Sequence, residues 1–351
     1  MFITGVSPVT LEDLASGFNI SSHISLSPTF NALCGFTHPE VVQAVDSFVA
    51  LTPELGSKEQ IKEELERYYD GYRFAEEADA LLFNPDMVLY YLMQLRDRRR
   101  PPTNVLDINV LDINVLDINV LDINVLDINV LDTNVLDINV LDINVRTDYT
   151  KIRQIATPPG GTEEWHLTLL ETLLADGRIP GELIDRFGVH ALYEQQHLVS
   201  LLFFMGLVTI EGYIEGQLTF RIPNHVIRML HCEELAVILR SRGGAAVDTW
   251  QLQNAVSKMA YHGDLEPFFG LVQRNVLEVL SNRDLIRFDE KAVKVILLTY
   301  LSLSPIYRPI SELELSQGYA DLFLALDRRY PDAKYSFLLE LKSLKAGASP
   351  E

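Results

Sequence analysis

Apolar positions recur along this chain with two familiar periods, and over one long stretch with a third that suits neither common element. Before residue 100, apolar residues three and four apart alternate with polar faces, which is the helical pattern. It predicts helices over Pro8 to Phe18, Pro39 to Val49, Ser57 to Tyr69 and Pro85 to Leu95. Thr10-Leu-Glu-Asp13 and Asn84-Pro85 are helix-start signals, since both supply side chains for the free N–H groups of a first turn. Met1–Val6 reads as a short apolar strand. Asp70-Gly71-Tyr72 reads as a turn with an aromatic anchor.

The helical period returns after residue 147. It predicts helices over Asp148 to Ile155, Glu163 to Leu174, Gly181 to Phe187 and Tyr193 to Met205. Leu207–Glu211 and Leu218–Ile222 then read as a hairpin turning near Glu215-Gly216. Helices followed by a hairpin have the order of a winged-helix module. Further helices follow over Asn224–Leu239, Thr249–Ala260 and Leu265–Val279, and an amphipathic one over Lys291 to Leu301. Three strands close the chain: Tyr307–Leu315, Tyr319–Leu326 and Tyr335–Leu341. The fold class expected is α+β and mostly helical.

The third period is five. Residues 104–145 repeat NVLDI in tandem, broken only by Thr133. On a helix this period smears Leu and Ile around the axis, and on a strand each copy flips face. A four-sided pentapeptide β-solenoid accepts a period of five. Here, however, bulky Leu stands where such a coil wants a small residue, and only about two coils would form, below the three or so a stable stack needs. The other reading is a tandem duplication that stays solvated, with one Asp per copy offsetting its apolar content.

Composition narrows the functions open to the chain. It has 351 residues, 48% hydrophobic and 22% charged, which is enough for two or three cored domains. The formal net charge is −20; the repeat's aspartates, Asp107 through Asp142, supply eight of these and leave −12. Global attraction to nucleic acid is therefore excluded, and any such site needs a local basic patch or bound metal. Cys34 and Cys232 are too few for a disulfide framework and read as reduced core thiols. The start lacks a signal-peptide pattern and no apolar window spans a membrane, so a cytoplasmic protein without membrane partners is expected. The histidines show no zinc spacing. Arg96-Asp-Arg-Arg-Arg100 reads as a solvated helix end, with a phosphate-contacting patch as the alternative. The hairpin segment Ile210-Glu-Gly-Tyr-Ile-Glu215 carries two acids and no base, which favours intramolecular packing over DNA contact.

One constellation carries chemistry. In Phe337-Leu-Leu-Glu340-Leu-Lys342 the alternation of a strand puts Glu340 and Lys342 on the face of Leu338, opposite Phe337, Leu339 and Leu341. On the preceding strand Asp321 shares a face with Tyr319 and Phe323. Adjacent strands can thus present Asp321, Glu340 and Lys342 side by side. Phosphodiester hydrolysis needs an activated water and neutralisation of charge on phosphate; carboxylates holding a hard cation, with an ammonium beside the water, supply both. The same spacing also fits a solvated edge strand carrying a cross-strand ion pair.

Longer stretches add to this. FITGVSPVTLEDLASGFNI, ALCGFTHPEV, YYDGYRF, LFNPDMVLYYL, NVRTDYTKIRQI, LVSLLFFMGLVTI, LTFRIPN and SELELSQGYADLFLAL with FLLELK cover most of the chain outside the repeat. Over them the chain resembles bacterial AAA-ATPase-like proteins that carry a C-terminal PD-(D/E)XK nuclease domain. The resemblance implies that Asp321 is the metal-binding Asp and that Glu340 and Lys342 are the (D/E)XK pair. Glu312 matches the acidic residue before the Gly-containing turn. Asp321, Glu340 and Glu312 would hold Mg²⁺ or Mn²⁺, and Asp321, Glu340 and Lys342 would be catalytic.

The departures shape the expected organisation. No G-x-x-x-x-G-K-[ST] occurs, so no complete ATP site is expected. The expected layout is a remnant of an AAA-type ATPase domain (1–95), the pentapeptide-repeat insertion (96–147), a helical lid with a winged-helix-like hairpin (148–255) and a partial PD-(D/E)XK α/β nuclease core (256–351). The helix and strand that close the family's nuclease sheet are expected to be missing. The partners implied are DNA and a protein supplying the missing ATPase half. The alternative function is a non-catalytic, truncated interaction or scaffold module.

Overall fold

The computed structural model describes residues 24, 26–102, 164–184, 195–243, 247–281, 290–315 and 318–342. The expected strand Met1–Val6, the helices Pro8 to Phe18 and Asp148 to Ile155, and the NVLDI repeat lie outside the described residues. The chain divides into two compact units, the division falling after Leu230.

In the first unit, α1 (His38–Leu51), α2 (Lys58–Tyr69) and α3 (Pro85–Arg98) pack in sequence. Each starts on the residue type that free N–H groups require. The Glu40 carboxylate accepts from the Thr37 N–H at 2.8 Å, Ser57 Oγ from the Gln60 N–H at 3.2 Å, and Asn84 Oδ1 from the Met87 N–H at 3.2 Å. Leu65, Tyr69, Leu82, Phe83, Met87 and Tyr91 are fully buried between them, and the Tyr91 hydroxyl donates to Glu64 at 2.6 Å. The Arg96–Arg100 cluster does end a helix, with Arg96 paired to Asp97.

Next come α4 (Glu164–Asp176), β1 (Arg178–Pro180), α5 (Gln195–Phe204), β2 (Thr209–Ile214) and β3 (Gln217–Arg221). The strands form an antiparallel sheet in the order β1-β3-β2. The hairpin turns on Glu215 (φ 51°) and Gly216 (φ 81°), two left-handed residues whose twist matches the flanking strands. A bulge at Glu211 separates the pairs Ile210–Phe220 and Gly212–Thr219. The helix expected over Gly181 to Phe187 is not found in its described part, Gly181–Ile184, which is irregular. The cause lies in where its backbone bonds go: Gly181 N–H donates to Leu218 O at 2.9 Å, and Ile184 N–H donates to the Ser200 hydroxyl at 2.9 Å.

The Asp70-Gly71-Tyr72 turn ties this hairpin to the preceding helices. Gly71 has φ 102°, and Tyr72 is buried and exchanges both backbone bonds with Leu82. The Arg73 N–H donates to Thr209 Oγ1 at 2.7 Å and its guanidinium donates to Glu211 O at 3.0 Å. Arg221 reaches Gly71 O at 3.3 Å, and Asn224 reaches Asp70 O at 3.1 Å. Burial pushes the Asp70 carboxyl above the usual carboxylate range, despite Gly71 N–H, His38 and Arg221 pulling the other way. A raised folded-state pKa stabilises below the unfolded value, near pH 4, and that stability is lost as pH rises through the folded pKa. Asp70→Asn is therefore expected to be more stable than wild type at pH 7, with the difference shrinking toward pH 4. Denaturant midpoints at the two pH values check this; a less stable variant at pH 7 would refute it.

The second unit starts within α6 (His225–Gly243) and continues through α7 (Thr249–His262), α8 (Glu266–Val272), α9 (Glu278–Ser281) and α10 (Glu290–Ser302). The single helix expected over Leu265–Val279 is interrupted by a π-turn at Gln273–Leu277, where Glu278 N–H donates to Gln273 O, five residues back. The helix α10 corrects a second expectation. It is not amphipathic but buried on every side from Lys294 to Ser302. It lies against β4 (Tyr307–Leu315) and β5 (Gly318–Leu326), which with β6 (Phe337–Leu339) form an antiparallel sheet in the order β4-β5-β6. Ala320, Leu322 and Leu324 are the buried face of the middle strand.

Of the two cysteines, Cys232 is a buried thiol as expected, but Cys34 is exposed in the turn-rich segment before α1. Among the described residues no helix is long and apolar enough to cross a membrane.

Candidate functional site

The last sheet aligns the sequence-selected acids by register. The pairs Ser311–Leu322 and Leu313–Ala320 bracket Glu312 and Asp321, so these two positions face each other across β4 and β5. On the other side Leu322 pairs with Leu339, Phe323 with Leu338 and Leu324 with Phe337. One further step sets Asp321 opposite Glu340. Glu312, Asp321 and Glu340 therefore occupy one row across three chain segments, with neighbouring Cα atoms of a row about 4.5–5.5 Å apart. Two residues on, the next row of the same face is apolar: Ile310, Phe323 and Leu338, the last 54% exposed.

The third strand is shorter than expected. Instead of Tyr335–Leu341, only Phe337–Leu339 is strand, so Glu340 and Lys342 sit just beyond its end. The backbone groups at both ends bond elsewhere. The Leu341 N–H donates to Asp321 Oδ2 at 2.7 Å, and the Tyr335 N–H donates to Ala260 O at 3.1 Å. Asp321 thus touches the peptide joining Glu340 to Leu341. Lys342 Nζ lies 3.4 Å from Glu340 Oε1, and both side chains are about two-thirds exposed, at 70% and 67%. Such a pair is worth at most about 1 kcal/mol, so neither side chain is fixed by it.

The loop between β5 and β6 is pinned at two points. Asp327 is buried and holds Arg329 through two parallel bonds, Nε to Oδ1 at 2.8 Å and Nη2 to Oδ2 at 3.1 Å. At the far end the N–H groups of Lys334 and Tyr335 both donate to Ala260 O. The chain returns to the sheet from a fixed point.

The donor set is all oxygen, the kind a hard divalent cation prefers. Among the described residues, however, no three His, Cys, Asp or Glu side chains are arranged to hold a metal ion. Of the described acids of the row, Glu340 is turned toward Lys342. The row's donors are of the type a hard cation takes, and its Glu340 side chain is exposed.

Residues 288–351 match the PD-(D/E)XK nuclease superfamily. The match begins just before α10 and takes in all three strands of the last sheet, so Glu312, Asp321, Glu340 and Lys342 all lie inside the superfamily stretch. No curated protein and no solved structure matches the chain.

Sequence reading missed the groups that hold β6 in place. The Tyr307 hydroxyl donates to Tyr335 O at 2.7 Å across 28 positions, and the Ala260 carbonyl receives two N–H groups from further still. An aromatic residue opening a strand carries no signal that distinguishes this role from plain core packing.

Proposed function

We propose that the PD-(D/E)XK stretch is a divalent-cation-dependent phosphodiester hydrolase domain acting on DNA. The register row Glu312–Asp321–Glu340, with Lys342 two residues on, carries this reading. Asp321 and Glu340, with Glu312, would hold Mg²⁺ or Mn²⁺, which when bound lowers the pKa of its water and offsets charge on the phosphate. Lys342, released from Glu340, would orient the attacking water and meet the phosphate oxygens as a point charge. The Leu341 N–H bond to Asp321 Oδ2 holds the backbone next to Glu340 beside Asp321. The acidic balance of the whole chain gives DNA no global attraction, and a bound cation would supply local positive charge at this row. The AAA-ATPase-like origin of residues 1–95 rests on the sequence resemblance, and these 351 residues contain no G-x-x-x-x-G-K-[ST].

A second reading is a domain of nuclease ancestry that does not turn over and serves as an interaction module. The Glu340–Lys342 ion pair favours it, because it turns both groups on each other.

The full-length chain incubated with plasmid and linear DNA separates the two. Cleavage should require Mg²⁺ or Mn²⁺ and be abolished by chelation. Glu340→Gln should lower the rate about 10²-fold or more, the loss expected for several kcal/mol of transition-state charge stabilisation. Absence of cleavage with either cation favours the non-catalytic reading, and cleavage unaffected by Glu340→Gln places the chemistry elsewhere.

A further inference from the structure

We infer that Tyr307 is a positioning residue for the Glu340–Lys342 segment, an inference that rests on the site reading above. The strand that leads to this segment is the weakest part of its sheet. It makes three register pairs with β5, its one strand neighbour among the described residues. With so short a ladder, where Glu340 stands depends on what holds the strand at its two ends.

One end is held by Asp321, which takes the Leu341 N–H. The other is held at residues 334–335. Ala260, near the end of α7, accepts from Lys334 N–H at 2.8 Å and Tyr335 N–H at 3.1 Å. Gly263, the left-handed residue that ends α7 at φ 73°, leaves room for the Tyr335 ring, which an added Cβ would approach to 3.1 Å. These contacts fix the N–H side of the segment. The carbonyl side is fixed by Tyr307, whose hydroxyl donates to Tyr335 O at 2.7 Å.

Tyr307 is suited to this. It opens β4 opposite Leu326, is 2% exposed, and its ring meets the Phe337 ring edge-on at 6.3 Å. Burial pushes its hydroxyl above the ordinary tyrosine range, so it stays a donor throughout the pH range of the protein. One side chain therefore clamps Tyr335 through its hydroxyl and Phe337 through its ring. Those residues stand five and three positions before Glu340. A slip of one residue here would turn Glu340 and Lys342 to the opposite face of the sheet.

Tyr307→Phe removes the hydroxyl and keeps the ring. Mn²⁺ alone, titrated calorimetrically into the full-length chain, is the probe. Tyr307→Phe should weaken Mn²⁺ binding several-fold, because Glu340 loses the anchor of the strand that leads to it. Gln253→Met is the control: it deletes two hydrogen bonds of the same unit, from Gln253 to Leu303 O and from the Ser304 hydroxyl to Gln253, and should bind Mn²⁺ as wild type does. Amide exchange over residues 336–342 should be several-fold faster in Tyr307→Phe and unchanged in the control. Wild-type binding with an unaltered Tyr307→Phe affinity, or equal weakening in Gln253→Met, overturns the inference alone. No Mn²⁺ binding by wild type overturns the site reading and this inference with it.

Discussion

Gly71→Ala is expected to destabilise the protein by about 3 kcal/mol or more, from backbone strain and overpacking together. Gly71 sits at φ 102°, where a side chain is strained whatever the space around it. Space is also lacking. A Cβ there would lie 2.1 Å from Pro223 O and 3.0 Å from Pro223 C. Both are backbone atoms, so no rotamer change relieves the overlap. The Pro223 segment would have to move, and with it Asn224 and Arg221, which bond to Asp70 O and Gly71 O. Against a total stability of about 5–15 kcal/mol, a loss of this size should sharply lower the denaturant midpoint and the soluble yield. Gly212→Ala separates the two causes, because Gly212 has φ 133° but nothing within 4 Å of an added Cβ. If Gly71→Ala proves no worse than Gly212→Ala, the close approach to Pro223 contributes nothing.

The same turn shows what sequence could and could not reveal. Asp70-Gly71-Tyr72 reads as a turn because Gly admits a left-handed residue and Asp favours turns. That Gly71 must be Gly because Pro223 stands against it is a contact across 152 positions, invisible to local pattern. The helix start at Asn84 was legible because capping is local; the caps at Thr37 and Ser57 were not singled out. The Glu215-Gly216 turn was legible too. β1 escaped notice because three residues with one buried apolar side chain, Ile179, make no period, and its pairing partner is β3, far along the chain. The full burial of α10 escaped for a related reason: polar Lys294, Thr299 and Ser302 lie within a mostly apolar helix, and only the completed unit shows them enclosed.

The site divides in the same way. Alternation alone paired Glu340 with Lys342 on one face and put Asp321 with Phe323, and the register agrees, since Phe323 faces Leu338. Glu312 entered the set through the resemblance and not through alternation, because its place in the row depends on the offset between β4 and β5. The early end of β6 could not be read, because a side-chain acceptor, Asp321, replaces a ladder acceptor there. These non-local features are the ones that decide whether the acidic row can work.

Asp321 is where they meet, and its substitutions should give the largest effect on activity. Its carboxylate has two tasks in the proposed site. One is structural: Oδ2 accepts the Leu341 N–H at 2.7 Å and so clips the Glu340–Lys342 segment to β5. The other is to hold the cation. Asn keeps an acceptor for the clip but removes the charge, whereas Ala removes both. Asp321→Ala should therefore lose about 1.5–3 kcal/mol of stability, the range for a hydrogen bond to a charged group, and Asp321→Asn clearly less. Both should lose Mg²⁺-dependent cleavage by about 10²-fold or more, because the missing cation ligand costs several kcal/mol of transition-state stabilisation in either case. Thermal or denaturant unfolding measured beside cleavage and Mn²⁺ binding separates the tasks. An Asp321→Asn protein that binds Mn²⁺ and cleaves DNA like wild type would leave Asp321 as a strand clip and nothing more. An Asp321→Ala protein as stable as wild type would show that the clip contributes no stability, and that β6 is held by its start rather than its end.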